Sequence, residues 1–314
     1  LGYLLVGVVV GPNAFNFVPD TASTRYLAEF GVVFLMFSIG LEFSLPQLVA
    51  MRRTVTGFGG LQVGVSILAV LGISVASGLG WQSGLILGGI IAMSSTAIIS
   101  KVLAEQTQLH SDHGKQIMGV LLFQDLAVIP LLVLIPAMAL SGEQLAIEIG
   151  TALLKAGAVL AVILVLGQRI MRPLFHVIAR HKSSELFVLA VLLVTLGLAW
   201  ATEAAGLSLA LGAFLAGMLI SETEYRYQVE DYIKPFRDVL LGLFFVTIGM
   251  LLNIASVFSH LGLVVLVLVS LIALKFLIIY LIAILLRNER AVALRCALAL
   301  APAGEFGFVL LALA

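Results

Sequence analysis

Apolar runs dominate this chain and leave few ways to fold it. Eleven stretches, near residues 1–12, 28–45, 57–79, 83–103, 117–140, 147–168, 185–201, 207–221, 238–254, 261–286 and 290–313, read as helices in lipid. Hydrocarbon about 30 Å thick takes roughly 20 residues of helix to cross. Inside it only helices and closed barrels satisfy every backbone polar group. Of 314 residues 61% are hydrophobic and 11% charged, too little polar surface to wet a soluble globule of this size. The chain therefore reads as an all-α polytopic membrane protein. Its first run is too short to cross alone and starts at Leu1 rather than Met, so the first helix is expected to be truncated. The single cysteine, Cys296, excludes an intramolecular disulfide.

The basic residues sort by side. With the Arg52–Arg53 loop cytoplasmic, alternation puts Arg52, Arg53, Lys101, Lys115, Arg169, Arg172, Arg180, Lys182, Arg226, Lys234, Arg237, Arg287, Arg290 and Arg295 on that side, 14 of the 17 Lys and Arg. Only Arg25 falls outside, and Lys155 and Lys275 lie within spans. Cytoplasmic loops are enriched in Lys and Arg. A net charge of zero thus conceals a strong sidedness.

Shifted by 209–210 residues, the sequence matches itself. Leu1-Gly-Tyr-Leu-Leu-Val-Gly7 lies over Leu211-Gly-Ala-Phe-Leu-Ala-Gly217, and Phe34-Leu-Met-Phe-Ser-Ile-Gly40 over Leu243-Phe-Phe-Val-Thr-Ile-Gly249. The copies are offset by seven spans, an odd number, so the halves run oppositely through the bilayer. Inverted repeats place substrate near the midplane where the halves meet. The same offset lays Met93-Ser-Ser-Thr-Ala-Ile-Ile99 over Pro302-Ala-Gly-Glu-Phe-Gly-Phe308, the two least helix-like places inside long apolar runs. Taken singly, Ser and Thr could merely pack helices and Gly-Pro merely kink one. Their correspondence predicts a pair of broken helices, each leaving carbonyls and a half-helix N-terminus to meet ions. A partner for the fifth span would start near residue 326, so a final helix of the second repeat is expected to be missing.

Gln124-Asp125 lies in an otherwise apolar run, Met118 to Ile135. An ionised carboxylate at bilayer depth costs about 3 kcal/mol or more, so Asp125 calls for a proton, a cation or a basic partner. A purely structural Asp paired to Lys is the bland alternative. Lys275, mid-way along the tenth span, needs acceptors from Gln124, Asp125 or the breaks, and it reads equally as a structural tie or a working group. Glu305, at the second break, reads as a cap or tie with cation contact as the alternative. Glu42 reads as a solvated edge residue, Lys155 as snorkelling to the outer loop, and His110 and His113 as solvated loop histidines.

Leu122-Phe-Gln-Asp-Leu-Ala-Val-Ile-Pro130, Ser94-Ser-Thr-Ala-Ile98, Gly40-Leu-Glu42, Gly212-Ala-Phe-Leu-Ala-Gly217, Leu240-Leu-Gly-Leu-Phe-Phe245 and Gly304-Glu-Phe306 resemble the cation:proton antiporter-2 family, specifically the Kef-type potassium efflux proteins. The resemblance implies the sodium/proton-antiporter fold with two crossed broken helices. It implies core helices at about 57–140 and 261–314, and dimerisation or scaffold helices at about 1–45 and 147–254, working as a homodimer by elevator-like alternating access. By the same resemblance Asp125 corresponds to the carboxylate that carries proton and cation. Gln124 stands where electrogenic relatives have a second Asp, and Lys275 matches their tenth-span lysine. With Gln there, one proton per cation without net charge is implied. Kef proteins also have a C-terminal nucleotide-binding domain, which this chain lacks, so no cofactor is expected within it. The loop Ser221–Pro235 keeps Glu224-Tyr-Arg226 and Glu230-Asp231 of a regulatory motif but differs between them.

The expectation is a monovalent cation:proton antiporter, K+ preferred and Na+ the alternative, in the bacterial inner membrane. Asp125, Gln124 and Lys275 would carry the exchange, and Asp125, Gln124, Ser95, Thr96 and Glu305 would hold the transient cation. A sodium-coupled organic-anion symporter and a ligand-gated K+ channel are the rivals. An intramembrane hydrolase lacks support, since neither His-Glu-x-x-His nor Gly-x-Gly-Asp with a second membrane Asp occurs.

Overall fold

The computed structural model describes residues 2–15, 17, 22–42, 51–109, 111–138, 145–181, 183–304 and 306–313, and every regular element among them is helical. In chain order these are α1 (Gly2–Val10), α2 (Ala22–Glu42), a π-helical segment Thr54–Gly59 running straight into α3 (Gly60–Ala76), α4 (Trp81–Ala92), α5 (Thr96–Glu105) and α6 (Asp112–Met138). There follow α7 (Leu145–Arg180), α8 (Ser184–Ala204), α9 (Leu209–Ser221), α10 (Arg226–Met250), α11 (Ile254–Ser259), α12 (Leu261–Leu285), α13 (Arg290–Leu300) and α14 (Phe306–Ala312). Among the described residues, five segments are long and apolar enough to cross a membrane: Thr54–Ala76, Asp112–Pro136, Gly157–Arg180, Ser184–Ala204 and Leu261–Leu285.

The fourth and eleventh runs each resolve into two helices separated by non-helical residues, α4 with α5 and α13 with α14. Two other elements outrun the apolar pattern. The sixth run predicts a helix over 147–168, but α7 continues to Arg180. Arg169, Arg172 and Arg180 can end a membrane helix without breaking it, because their long side chains reach polar surroundings. Similarly α10 begins at Arg226, well ahead of the apolar run at 238. Its charged start is helical because Val229 and Ile233, one turn apart, are both buried.

The chain packs as two compact units. Leu1–Ser44 with Gly150–His260 form one, and Leu45–Ile149 with Leu261–Ala314 form the other.

In the first unit α9 is the centre, with every residue from Ala210 to Ile220 buried. A helix apolar on all sides belongs in a core. It packs on α2 and α8, while α1 packs on α10. The repeat glycines explain these pairings. A β-carbon on Gly7 would overlap the Val246 carbonyl, and one on Gly249 the Leu4 carbonyl. Likewise Gly217 abuts the Phe37 carbonyl and Gly40 the Phe214 carbonyl. Under the 209–210 offset these four contacts are two equivalent pairs. The first helix of each repeat is therefore pressed against the second helix of the other, through the glycines that define the sequence repeat.

In the second unit α3 packs on α4, α12 on α13, and α6 on the π-helical segment. Gly59 lies against Phe123, and Gly119 against Thr54. π-helical turns recur at functional sites because they reset the register of the helix that follows. Here the helix that follows is α3, which carries the buried Gln62.

Gly217→Ala or Gly7→Ala drives a methyl group into backbone and is expected to destabilise the protein by about 1–3 kcal/mol, the usual cost of overpacking. Gly197→Ala, with open space around it inside α8, is expected to stabilise by about 0.5–1 kcal/mol. Thermal unfolding of the detergent-solubilised variants checks both signs.

Candidate functional site

The two helix breaks meet. Met93 and Ser95 have extended backbone (φ −76°, ψ 144° and φ −79°, ψ 104°), which separates α4 from α5. A β-carbon on Gly304, in the second break, would lie 2.5 Å from the Ser94 carbonyl and 2.7 Å from the Ser95 nitrogen. Only a residue without a side chain lets the two segments cross so closely.

Each break strands backbone groups that lipid cannot satisfy, and the second unit supplies their partners from side chains. Gln62 Nε2 donates to the Ala92 carbonyl at 3.1 Å and to Ser66 Oγ at 3.2 Å. The Ser94 amide donates to Gln124 Oε1 at 2.8 Å. The two glutamines join through Gln124 Nε2, which donates to Gln62 Oε1 at 2.8 Å. Two side-chain amides in series thus connect the last carbonyl of α4 to the amide two residues further on. Ser94 Oγ accepts from Gln124 Nε2 at 3.3 Å and donates to the Leu300 carbonyl at 2.8 Å, which ties the first break to the end of α13.

Lys275, the fifteenth residue of 25 in α12, is 1% exposed. Its ammonium donates to the Met93 carbonyl at 2.6 Å, Ser94 Oγ at 3.0 Å and the Pro302 carbonyl at 3.3 Å. An ammonium has three donors, and three acceptors meet them. Met93 and Pro302 are equivalent under the repeat offset, so one cation serves the same carbonyl in both breaks.

Asp125 is the fourteenth of 27 residues in α6 and is buried. That places it about 20 Å along the helix at 1.5 Å per residue, because the helix begins at Asp112, ahead of the apolar run. Thr96 Oγ1 donates to Asp125 Oδ1 at 3.0 Å. Thr96 is also the first residue of α5, so the carboxylate stands by a half-helix N-terminus, where negative charge is stabilised. Ser95 is the N-cap of α5 and its hydroxyl accepts from the Ile98 amide at 3.4 Å.

The structure therefore brings Gln124, Ser95, Thr96, Asp125 and Lys275 together at the breaks. Glu305 lies outside the described residues, as does His110. Glu42 is exposed at the end of α2. Lys155 is exposed on α7, with Nζ beside Gly206 in the turn before α9. His113 departs from the solvated loop expected of it. It lies in the first turn of α6, 6% exposed, hydrogen-bonded to Gln108 at 2.9 Å and to Ser111 at 3.2 Å. Sequence reasoning does not single out Gln62, although an amide in the apolar run Gly60-Leu-Gln-Val-Gly64 carries the same signal as Gln124.

A family model for the transmembrane sodium/hydrogen exchangers matches residues 1–314. The chain belongs to the sodium/hydrogen exchanger family. Among its relatives, the putative K(+) efflux antiporter KefB of Alkalimonas amylolytica is 43% identical over all of this exchanger chain and 48% of its own length. The chloroplastic K(+) efflux antiporter 1 of Arabidopsis thaliana is 41% identical over 98% of the exchanger chain and 27% of its own. The chain thus spans half or less of these relatives. The sodium proton antiporter MjNhaP1 of Methanocaldococcus jannaschii superposes with a TM-score of 0.68 at 17% identity, over 99% of the exchanger chain and 78% of the archaeal one. That likeness fixes the fold as the inverted-repeat antiporter fold with crossed broken helices.

Lys275→Met strands the Met93 and Pro302 carbonyls, and Gln62→Leu strands Ala92 O. Each buried unsatisfied group costs about 1–3 kcal/mol, so both variants are expected to unfold at lower temperature, Lys275→Met by more. Scanning fluorimetry in detergent, with Lys155→Met as the exposed-lysine control, measures this.

Proposed function

We propose that this chain is the membrane domain of a monovalent cation:proton antiporter, with K+ preferred over Na+. The observation that carries the reading is Asp125. It is a buried carboxylate half-way along a membrane helix, bonded by Thr96 at the start of a half-helix, beside the crossed breaks of an exchanger-family fold. K+ is preferred on the strength of the relatives, two of which are described as K(+) efflux antiporters.

In the proposed cycle H+ and the cation compete for Asp125. A carboxylate at this depth is costly when ionised and empty, so reorientation favours the protonated or cation-bound forms. The cation's remaining ligands are the Thr96 hydroxyl, backbone carbonyls at the breaks and the side chains of Ser95 and Glu305. Gln124 acts chiefly on the frame, because its Oε1 already accepts the Ser94 amide. Lys275 holds the two breaks together. Two further expectations belong to this reading: the second unit moves as the core while the first anchors a homodimer, and the protein works in a bacterial inner membrane. An organic-anion symporter is the weaker reading. Lys275, at the crossing, has its donors engaged by carbonyls and a hydroxyl rather than facing a binding cavity.

The test is cation-driven dissipation of ΔpH in proteoliposomes. Asp125→Asn is expected to lose K+/H+ exchange while keeping its elution profile and unfolding temperature, and retained exchange overturns the reading. Thr96→Val is expected to weaken apparent cation affinity about tenfold, since a hydrogen bond to a charged group is worth about 1.5–3 kcal/mol and 1.4 kcal/mol is tenfold. In the same vesicles a one-for-one exchanger keeps its rate when the membrane potential is clamped. Net movement of one charge would instead couple transport to voltage by about 2.3 kcal/mol per 100 mV.

A further inference from the structure

The second unit holds a cavity of about 690 Å³ that reaches the helix breaks, with Ser95 and Pro302 on its wall, within the size range of small-molecule sites. Its walls are largely apolar: Ile98, Ile99 and Val102 from α5, Ile117 from α6, and Leu298 and Ala299 from α13. The polar groups gather at two ends. Gln106, Gln108, His113 and Arg295 stand at the end with the loops, and Ser95 and Pro302 at the end with the breaks. From Ser95 to Gln106 the cavity runs about 16 Å, at 1.5 Å per residue. Ile98 and Leu298 are 65% and 61% exposed, so the wall opens sideways.

The charge of this cavity has the wrong sign for a cation route. Among the described residues Arg295 is the sole formally charged side chain on its wall, with His113 engaged by Gln108 and Ser111. Among the described residues no carboxylate pairs with Arg295, and on α5 Lys101 pairs with Glu105 at 3.9 Å. An unpaired guanidinium binds phosphate and carboxylate oxygens through its planar fork of donors. A bare inorganic anion would gain nothing from 16 Å of aliphatic wall. An anionic head joined to a hydrocarbon tail fits both ends, and a bilayer supplies one. We propose that this cavity binds an anionic phospholipid, head at Arg295 and Gln108, one acyl chain along Ile98, Val102 and Leu298 toward the breaks. The tail would end against Ser95 and Pro302, which belong to the crossing itself.

The experiment reads lipid retention, which does not depend on transport. Delipidated protein is given equimolar phosphatidylglycerol and phosphatidylcholine with the same acyl chains, and the lipid retained after gel filtration is quantified. A single Arg contact to an anionic head is expected to favour phosphatidylglycerol about fivefold. Arg295→Gln should bring the ratio near one. Arg290→Gln, on the same helix but outside the wall, should leave it unchanged. Val102→Trp, which fills the groove and keeps the guanidinium, should lower phosphatidylglycerol retention and abolish the rise in unfolding temperature this lipid gives the parent protein. A ratio that Arg295→Gln leaves unchanged overturns the proposal. So does retention unaffected by Val102→Trp, and so does inorganic phosphate or glycerol 3-phosphate stabilising the protein as much as the lipid.

Discussion

A helix that stops inside lipid leaves amide and carbonyl groups that no water reaches, and each unsatisfied group costs several kcal/mol. This chain has two such stops, and the second unit is arranged around them. Gln62 reaches the Ala92 carbonyl, Gln124 the Ser94 amide, Ser94 the Leu300 carbonyl, and Lys275 the Met93 and Pro302 carbonyls. These groups come from α3, α6, α12 and the first break itself, so four parts of the chain are fixed relative to one another by a single need. The thin contact of Gly304 with the Ser94–Ser95 peptide is what brings both breaks within reach of one lysine.

The repeat acts differently in the two units. In the first, equivalent glycines make equivalent close contacts, Gly7 and Gly217 on Val246 and Phe37, Gly249 and Gly40 on Leu4 and Phe214. Close approach of backbones is the usual way helices associate in lipid, where no hydrophobic force drives them together. In the second unit the equivalent positions do not contact duplicate partners. Met93 and Pro302 share Lys275. One copy of the repeat's second unit is thus incomplete without the other. Packing of α4 and α5 in isolation would leave the lysine's remaining donors and the break's carbonyls without their shared ligand.

Much of this was legible before any coordinates. Apolar runs gave the helices, and the offset of 209–210 located both breaks, because a backbone that leaves the helix in lipid needs polar or glycine residues at the same place. Asp125 and Lys275 stood out because charge inside an apolar run has few explanations. Three things were less legible. The starts of α6 and α10 lie in polar sequence, where hydropathy is silent and buried pairs such as Val229 and Ile233 decide. Gln62 carries no charge, and an amide raises a weaker alarm than a carboxylate even when it is as fully buried. His113 reads as a loop residue until α6 is seen to begin at Asp112, which puts its ring inside the second unit against Gln108 and Ser111.

The partners of Lys275 bear on what the proposed cycle can move. A lysine bonded to the exchanging carboxylate would have to let go each time an ion arrived, and could release or take up a proton as it did so. Here the ammonium's three donors go to two carbonyls and a hydroxyl. Dipoles, not a counter-charge, hold it in place, and they remain when Asp125 changes occupant. The neighbouring Gln124 cannot ionise, and both ends of its amide are engaged. At the breaks Lys275 is held by dipoles and Gln124 has no ionisable group. Asp125 is the group that the proposed cycle asks to change state. On the proposed reading H+ and a monovalent cation alternately neutralise Asp125 with a single positive charge, so the two loaded forms carry the same total charge and the proposed cycle moves none.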